Sequence, residues 1–373
     1  MAGIYIHIPF CKQACNYCNF HFSTSLKYKE ELVAALRQEI RNRNTYLAQE
    51  LETVYLGGGT PSLLAADDLQ KIFTQIRQSF SFGELRECTL EANPDDINPA
   101  FLEQLKSTPV DRLSIGIQSF READLQFMNR AHNAREAINA VSLAQQAGYK
   151  NITIDLIYGT PGLNNKDWKE NLERAIDLGV QHISSYALTV EEKTLLAHQI
   201  EKGKTPEPKN EQAAEQFEIL VETLCSNGFE HYEISNFAKP GHYAIHNTNY
   251  WKGAHYLGIG PSAHSFNGQS RQWNVANNAL YSKGIFAGDP VHEVEILSRE
   301  DQINEMLLTG LRTMWGVDLV QFQERFGKPA LDGLIHRLAR ENALHYILTE
   351  QQLKLTEAGK LFADGIAARL FED

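Results

Sequence analysis

Cysteine is scarce and poorly paired in this chain. There are five in 373 residues, an odd number, with Cys11, Cys15 and Cys18 crowded together and Cys88 and Cys225 isolated. That excludes a secreted disulfide framework and points to a reducing cytosol. Basic charge is also short: 35 Lys and Arg against 47 Asp and Glu leave a net charge of -12. Such a balance excludes a protein held on nucleic acid by general electrostatics. No run of about 18 apolar residues occurs, so no membrane-spanning helix is expected. The opening MAGIYIHIPFCKQAC lacks a basic stretch, and His7 and Pro9 break its apolar run, so no signal peptide is expected. Internal repeats and low-complexity tracts are absent. The expectation is a soluble, cytoplasmic protein. Hydrophobic residues make up 43% and charged residues 22%, enough for a large core, and the length suggests two domains.

Short β-rich runs alternate with helical periodicity through the first two-thirds. Strands are expected at 4–8, 53–56, 88–92, 112–118, 152–158 and 182–188. Helices are expected at 28–47, 67–78 (capped by an Asp), 135–147 and 166–178. Six β/α units in succession predict a parallel sheet wrapped by helices, a partial (β/α)6 TIM-like barrel. A polar excursion follows at 201–210, then a helix at 211–227 and a region at 229–290 rich in Gly, Asn, His and aromatics. Helical patterns at 302–314, 318–326 and 329–341, an extended pair at 346–348 and 352–355, and a helix at 357–370 predict a small, mostly helical, winged-helix-like domain. The boundaries are set at 1–297 and 298–373. Without a basic stripe, this second domain suits packing or partner docking better than DNA.

In α/β barrels, ligands gather at the C-terminal ends of the strands. Here Cys11 follows the first strand and Gly-Gly-Gly-Thr-Pro at 57–61 follows the second. Glu91 ends the third, Gln118 ends the fourth, Asp155 lies in the fifth and Ala187 ends the sixth. Cys11-x3-Cys15-x2-Cys18 is the most specific signal, because three soft thiolates select zinc or iron–sulfur. His21 would complete a Cys3His zinc set, although structural zinc usually draws its ligands from two separated pairs. A [4Fe–4S] cube on three cysteines would keep one iron open.

This cysteine spacing at the end of the first strand resembles the radical S-adenosylmethionine (SAM) superfamily. The resemblance implies that the open iron chelates the amino and carboxylate groups of SAM, and that the reduced cluster cleaves the sulfonium to a 5′-deoxyadenosyl radical. Ile6-His7-Ile8-Pro9-Phe10-Cys11, the glycine-rich run at 57–61, Glu91-Ala92-Asn93-Pro94, Gly116-Ile117-Gln118-Ser119-Phe120 and Asp155-Leu156-Ile157-Tyr158-Gly159 resemble the oxygen-independent coproporphyrinogen III oxidase group more closely. The likeness runs from Tyr5 to at least His264. It implies SAM contacts at Tyr5, Tyr17, Gly58, Gly59, Thr60, Glu91, Gln118, Arg130 and Asp155, with Ala187 and His264 at a second SAM pocket. The chemistry agrees: Glu91 and Asp155 accept hydrogen bonds from ribose hydroxyls or an amino group, and Arg130 pairs with a carboxylate.

Two departures separate the chain from the oxidases. Phe20 stands where they carry a fourth cysteine, and only four residues precede Tyr5 where they have a long arm. In addition, His246-Asn247-Thr248-Asn249-Tyr250-Trp251 fits the His-Asn-x-x-Tyr-Trp pattern of the haem-chaperone subfamily, HemW. Histidine is the commonest proximal haem ligand, so His246 becomes the candidate. His231, His242, His255 and His264 stand as unranked alternatives. Gly258-x-Gly260-x-x-Ala263 imitates a dinucleotide fingerprint without its βαβ setting and is set aside, and Cys88 and Cys225 are expected to be buried thiols.

The leading expectation is a haem chaperone carrying [4Fe–4S] and SAM, with haem as cargo for acceptor haem proteins of the respiratory chain and without coproporphyrinogen oxidase activity. Transient membrane contact is expected, nucleic acid is not, and a homodimer is left open. The rival readings are the oxidase itself and a zinc-stabilised binding module.

Overall fold

The computed structural model describes residues 2–372. Six parallel strands form its centre: β1 (Ala2–Ile8), β2 (Leu51–Gly58), β3 (Phe82–Ala92), β4 (Arg112–Gln118), β5 (Asn151–Tyr158) and β6 (His182–Ala187). The chain is thus an α/β protein built on a partial (β/α)6 barrel. Period-2 alternation divides each strand between two environments. Ala2, Ile4, Ile6 and Ile8 of β1 are buried in one core with Leu32, Leu36 and Ile40 of the Lys29–Asn42 helix. The opposite faces carry polar side chains, including Tyr55, Glu91, Ser114, Asp155 and Ser184, which enclose a small space of about 60 Å³. Barrels of this kind usually fill that space with branched apolar residues.

The helices depart from the expected bounds for local reasons. The first stops at Asn42, where residues 43–47 turn instead of continuing. The Ala66–Ser79 helix has Ala65 at its N-cap, and Asp67 and Asp68 sit in its first turn, so the expected Asp cap is replaced by acidic side chains near the positive helix end. The Ala134–Gln146 helix is fixed by a capping box in which the Asn133 side chain and Glu136 satisfy each other's backbone N–H groups.

Sequence patterning missed how far the sheet extends. β7 (Glu230–Glu233) and β8 (Asn236–Ala238) continue it beyond β6. β9 (His255–Ile259), β10 (His264–Phe266), β11 (Ser270–Asn274) and β12 (His292–Ile296) extend it beyond β1, giving twelve strands in one sheet. These strands are three to five residues long, too short for a visible alternation. Gly258 lies against the backbone of His264, leaving no room for a Cβ, so the glycine pattern there serves a close strand approach.

The C-terminal domain has its own apolar core, from Ile303 to Leu370. Its helices frame a three-stranded sheet of β13 (Val317–Asp318), β14 (Tyr346–Leu348) and β15 (Gln352–Leu355), in the order β13-β15-β14. The expected last helix is broken into Glu357–Lys360 and Ala363–Leu370. No helix among the described residues is long and apolar enough to cross a membrane.

Candidate functional site

The cysteine loop leaves β1 and is held to the barrel by backbone and amide bonds. Cys11 N–H donates to the Ser23 carbonyl at 3.0 Å, and Ser23 N–H donates to the Pro9 carbonyl at 2.8 Å. Gln13 Nε2 donates to Oδ1 of Asn129 at 2.8 Å, and Asn129 Nδ2 donates to the Ala14 carbonyl at 2.7 Å. Asn129 has φ 54, a left-handed conformation that asparagine tolerates. It is a positioning residue that sequence reasoning overlooked; the Asn-Arg pair ending a short helix was the available signal.

Cys11, Cys15 and Cys18 are free and half-buried. Thr60 Oγ1 donates to Cys11 Sγ at 3.6 Å, and Arg130 Nη1 to Cys15 Sγ at 3.2 Å. Burial raises the Cys11 thiol and pushes Cys18 up to about 11, so loading a cluster must displace protons. His21, which would complete a Cys3His zinc set, holds its Nε2 on Asn278 Oδ1 at 2.7 Å. Among the described residues, no three His, Cys, Asp or Glu side chains converge on a point fit for one metal ion. A [4Fe–4S] cube asks for separated sulfurs, one to each iron, and fits this donor set.

The other expected rim residues surround the loop. Gly58 has φ +105, and at Gly59 a Cβ would lie 2.7 Å from the Phe10 carbonyl oxygen and 2.8 Å from that of Ile8, so both positions require glycine. Glu91 ties β2 to β3 by accepting from Gly58 N–H at 3.1 Å and from Tyr55 Oη at 2.7 Å. Arg130 Nη2 reaches Asn93 Oδ1 and the Gly116 carbonyl, each at 2.7 Å. Gln118 sits at φ 61, and its Oε1 is buried without a partner. An orphaned acceptor and a strained backbone at a strand end mark a surface built for a polar ligand. Burial, reinforced by the nearby Glu91 charge, raises the Asp155 carboxyl to about 7. The Tyr5 hydroxyl donates to His7 Nδ1 at 3.1 Å, since His7 Nε2 donates to the His21 carbonyl, and its ring packs on Tyr55, while Tyr17 joins a small apolar cluster with Met128 and Leu188.

The remaining expected residues are placed as follows. Ala187 ends β6 and His264 begins β10. Cys225 is exposed, whereas Cys88 is fully buried. His246 lies against the beginning of β2, at the end of the barrel opposite the cysteines. Its Nδ1 bonds Thr53 Oγ1 at 2.8 Å, its Nε2 bonds Tyr250 Oη at 2.7 Å, and its ring stacks on Tyr55 at 5.2 Å. Burial pushes its pKa down to about 3. Both ring nitrogens are thus bonded to hydroxyls inside a closed site, so haem iron at His246 would have to displace one of those partners.

A barrel that presents three cysteines above a glycine-rich rim is the architecture of radical SAM proteins, and the radical SAM superfamily description matches residues 5–175. A HemN C-terminal domain description matches residues 297–362. The chain is 35% identical over 374 residues to the Bacillus subtilis protein named heme chaperone HemW, covering 98% of each. It is 31% identical to the Haemophilus influenzae protein of the same name, covering 96% of this chain and 95% of that one. The chain therefore belongs to the HemW family of radical SAM proteins. Its fold matches the structure of Escherichia coli coproporphyrinogen III oxidase (HemN) with a TM-score of 0.86 at 22% identity, covering 99% of this chain and 90% of that one.

Proposed function

We propose that this protein is a haem chaperone on a radical SAM scaffold, taking up haem and delivering it to haem proteins of the respiratory chain. The full-length similarity to proteins named heme chaperones carries the reading. The residues fit its cofactors. Cys11, Cys15 and Cys18 would hold [4Fe–4S], and Arg130 and Thr60, already bonded to two of the sulfurs, would tune it through those hydrogen bonds. A cluster with one iron free of protein thiolate supplies an electron and a chelation point for SAM. Glu91, Asp155 and Gln118 would orient SAM's polar groups, and the glycines would let the backbone approach it. Phe20, 67% exposed, provides no thiol where the oxidases have one.

One anaerobic experiment tests the reading. The chain is reconstituted with iron and sulfide, and haem uptake, haem transfer to an apo-haem protein, and coproporphyrinogen turnover with SAM are measured. Stoichiometric haem uptake followed by transfer is the expected result. Rapid conversion of coproporphyrinogen would replace the chaperone by the oxidase.

A further inference from the structure

A large cavity lies away from the cysteine loop, between the barrel and the C-terminal domain. It encloses about 840 Å³ beside β9, β10, the Ile245–Trp251 helix and the Arg299–Leu311 helix. That volume falls in the range of roughly 300–1,000 Å³ typical of small-molecule sites. Trp251 and Trp315 line it, giving flat apolar surface, and Met306 adds a polarisable thioether.

The charges of this cleft are selectively unpaired. Its carboxylates are occupied: Glu305 is bonded to Arg271 at 2.7 Å, and Asp318 accepts from Val320 N–H and Gln321 N–H at 2.9 Å each. Its cations meet neutral groups instead. Lys252 Nζ lies 4.2 Å from the centre of the Trp315 ring. Arg325 Nη2 donates to Gln302 Oε1 at 2.8 Å and to the Gly268 carbonyl at 3.5 Å. In a chain of net charge -12, two cations with no acidic partner among the described residues, one of them over an indole ring, match a flat aromatic ligand that carries carboxylates.

One side chain of the cleft suits iron. His255 Nδ1 is bonded to the Gln49 amide at 3.1 Å, and its Nε2 faces Gly268, where a Cβ would come within 2.9 Å. Glycine at 268 makes room for the ring at this close approach, and the half-buried His255 lines the cleft. As placed, Gln49 Nε2 donates to Nδ1 and leaves the ring proton on Nε2; turning the Gln49 amide so that its oxygen faces the ring would put the proton on Nδ1 and free the Nε2 lone pair, the tautomer a metal requires.

The geometry points to this cleft as the haem site, with His255 Nε2 as the axial ligand and Lys252 and Arg325 pairing the propionates. The inference rests on the haem reading above and moves the iron ligand away from His246. The sequence motif then acquires a structural task. His246 fixes Tyr250 through its Nε2, Tyr250 packs edge-on to Tyr256 at 4.5 Å, and Tyr250 and Trp251 form one wall of the cleft.

The test titrates the full chain with ferric haem and with haem dimethyl ester, following the Soret band and tryptophan quenching. Thermal melts control for folding. His255→Ala is expected to lose the imidazole-ligated spectrum, and His255→Gly to regain it with added imidazole. Lys252→Ala combined with Arg325→Ala is expected to weaken haem binding by roughly tenfold or more, the scale of a lost charge-assisted bond, while leaving the uncharged diester unaffected. If wild-type protein binds haem but these variants keep its affinity and spectrum, the cleft is not the site and the chaperone reading stands. If wild-type protein takes up no haem, both fall.

Discussion

Asp155 shows how the polar barrel interior trades stability for a site. Its carboxyl is raised to about 7 by burial and then by the Glu91 charge, which is itself raised by burial. The folded state thus holds the Asp155 proton more tightly than the unfolded chain does. Asp155 contributes fully to stability below the ordinary aspartate range of about 4, and that contribution is lost as pH rises through about 7. Asp155→Asn keeps the shape and removes the ionisation. Its melting temperature relative to wild type is expected to rise between about pH 5 and about pH 8 in the absence of SAM. A difference that stays constant across that window would mean the carboxyl ionises as readily in the fold as outside it. Such a penalty is retained where a ligand repays it, and Asp155 stands beside Glu91 in the same small space.

At the scale of elements, the Ile245–Trp251 helix closes one end of the barrel. Glu87 receives the Ile245 and His246 N–H groups at 2.8 Å each, satisfying the first turn of the helix. His246→Ala would strand the Thr53 and Tyr250 hydroxyls and leave a void, costing about 2–4 kcal/mol by denaturant unfolding. The same variant is expected to keep the wild-type haem spectrum, because its imidazole is engaged inside the protein. A lost imidazole signature would restore His246 as the ligand. This helix also marks where the sequence stopped being legible. The six parallel strands and the cysteine rim were readable because apolar runs, helical periodicity and motif spacing are local signals. The role of His246 was not, since its partners at Thr53 and Tyr55 lie almost 200 residues away in sequence. Strands β7 to β12 escaped for a related reason: they are short, and their pairing is set by the sheet edges they extend. The Asp155 and Glu91 placement on strands was visible, but their shared enclosure required the barrel to close.

On the scale of the whole molecule, two apolar cores meet across a polar seam. His231 Nδ1 of the barrel bonds Glu357 at 2.7 Å, and Lys360 Nζ reaches the same carboxylate at 2.8 Å. Ile234 N–H donates to the Arg312 carbonyl at 3.1 Å, and Met314 N–H to that of Tyr232 at 2.9 Å. Arg312 joins most of these parts: its guanidinium pairs with Glu233 at 3.2 Å and Asp364 at 2.6 Å and lies 5.2 Å from the Trp251 ring centre. The Glu233 side chain is only 1% exposed, so Arg312→Ala would leave a buried carboxylate without its cation. The cost should be about 2–3 kcal/mol, below the roughly 3–5 kcal/mol of a fully enclosed pair, because the guanidinium itself reaches solvent. That loss falls on the seam and leaves each core intact. Calorimetry is therefore expected to resolve two transitions where wild type unfolds in one, with helical content at low temperature unchanged. Haem affinity should fall in parallel, since Trp251 loses the cation over its ring and the two walls of the cleft belong to the two parts that separate. Arg312→Lys should restore the single transition in part, as a point charge for Glu233 without the planar stack on Trp251. A single, uniformly lowered transition in Arg312→Ala would show instead that the two cores unfold as one unit even without this ion pair.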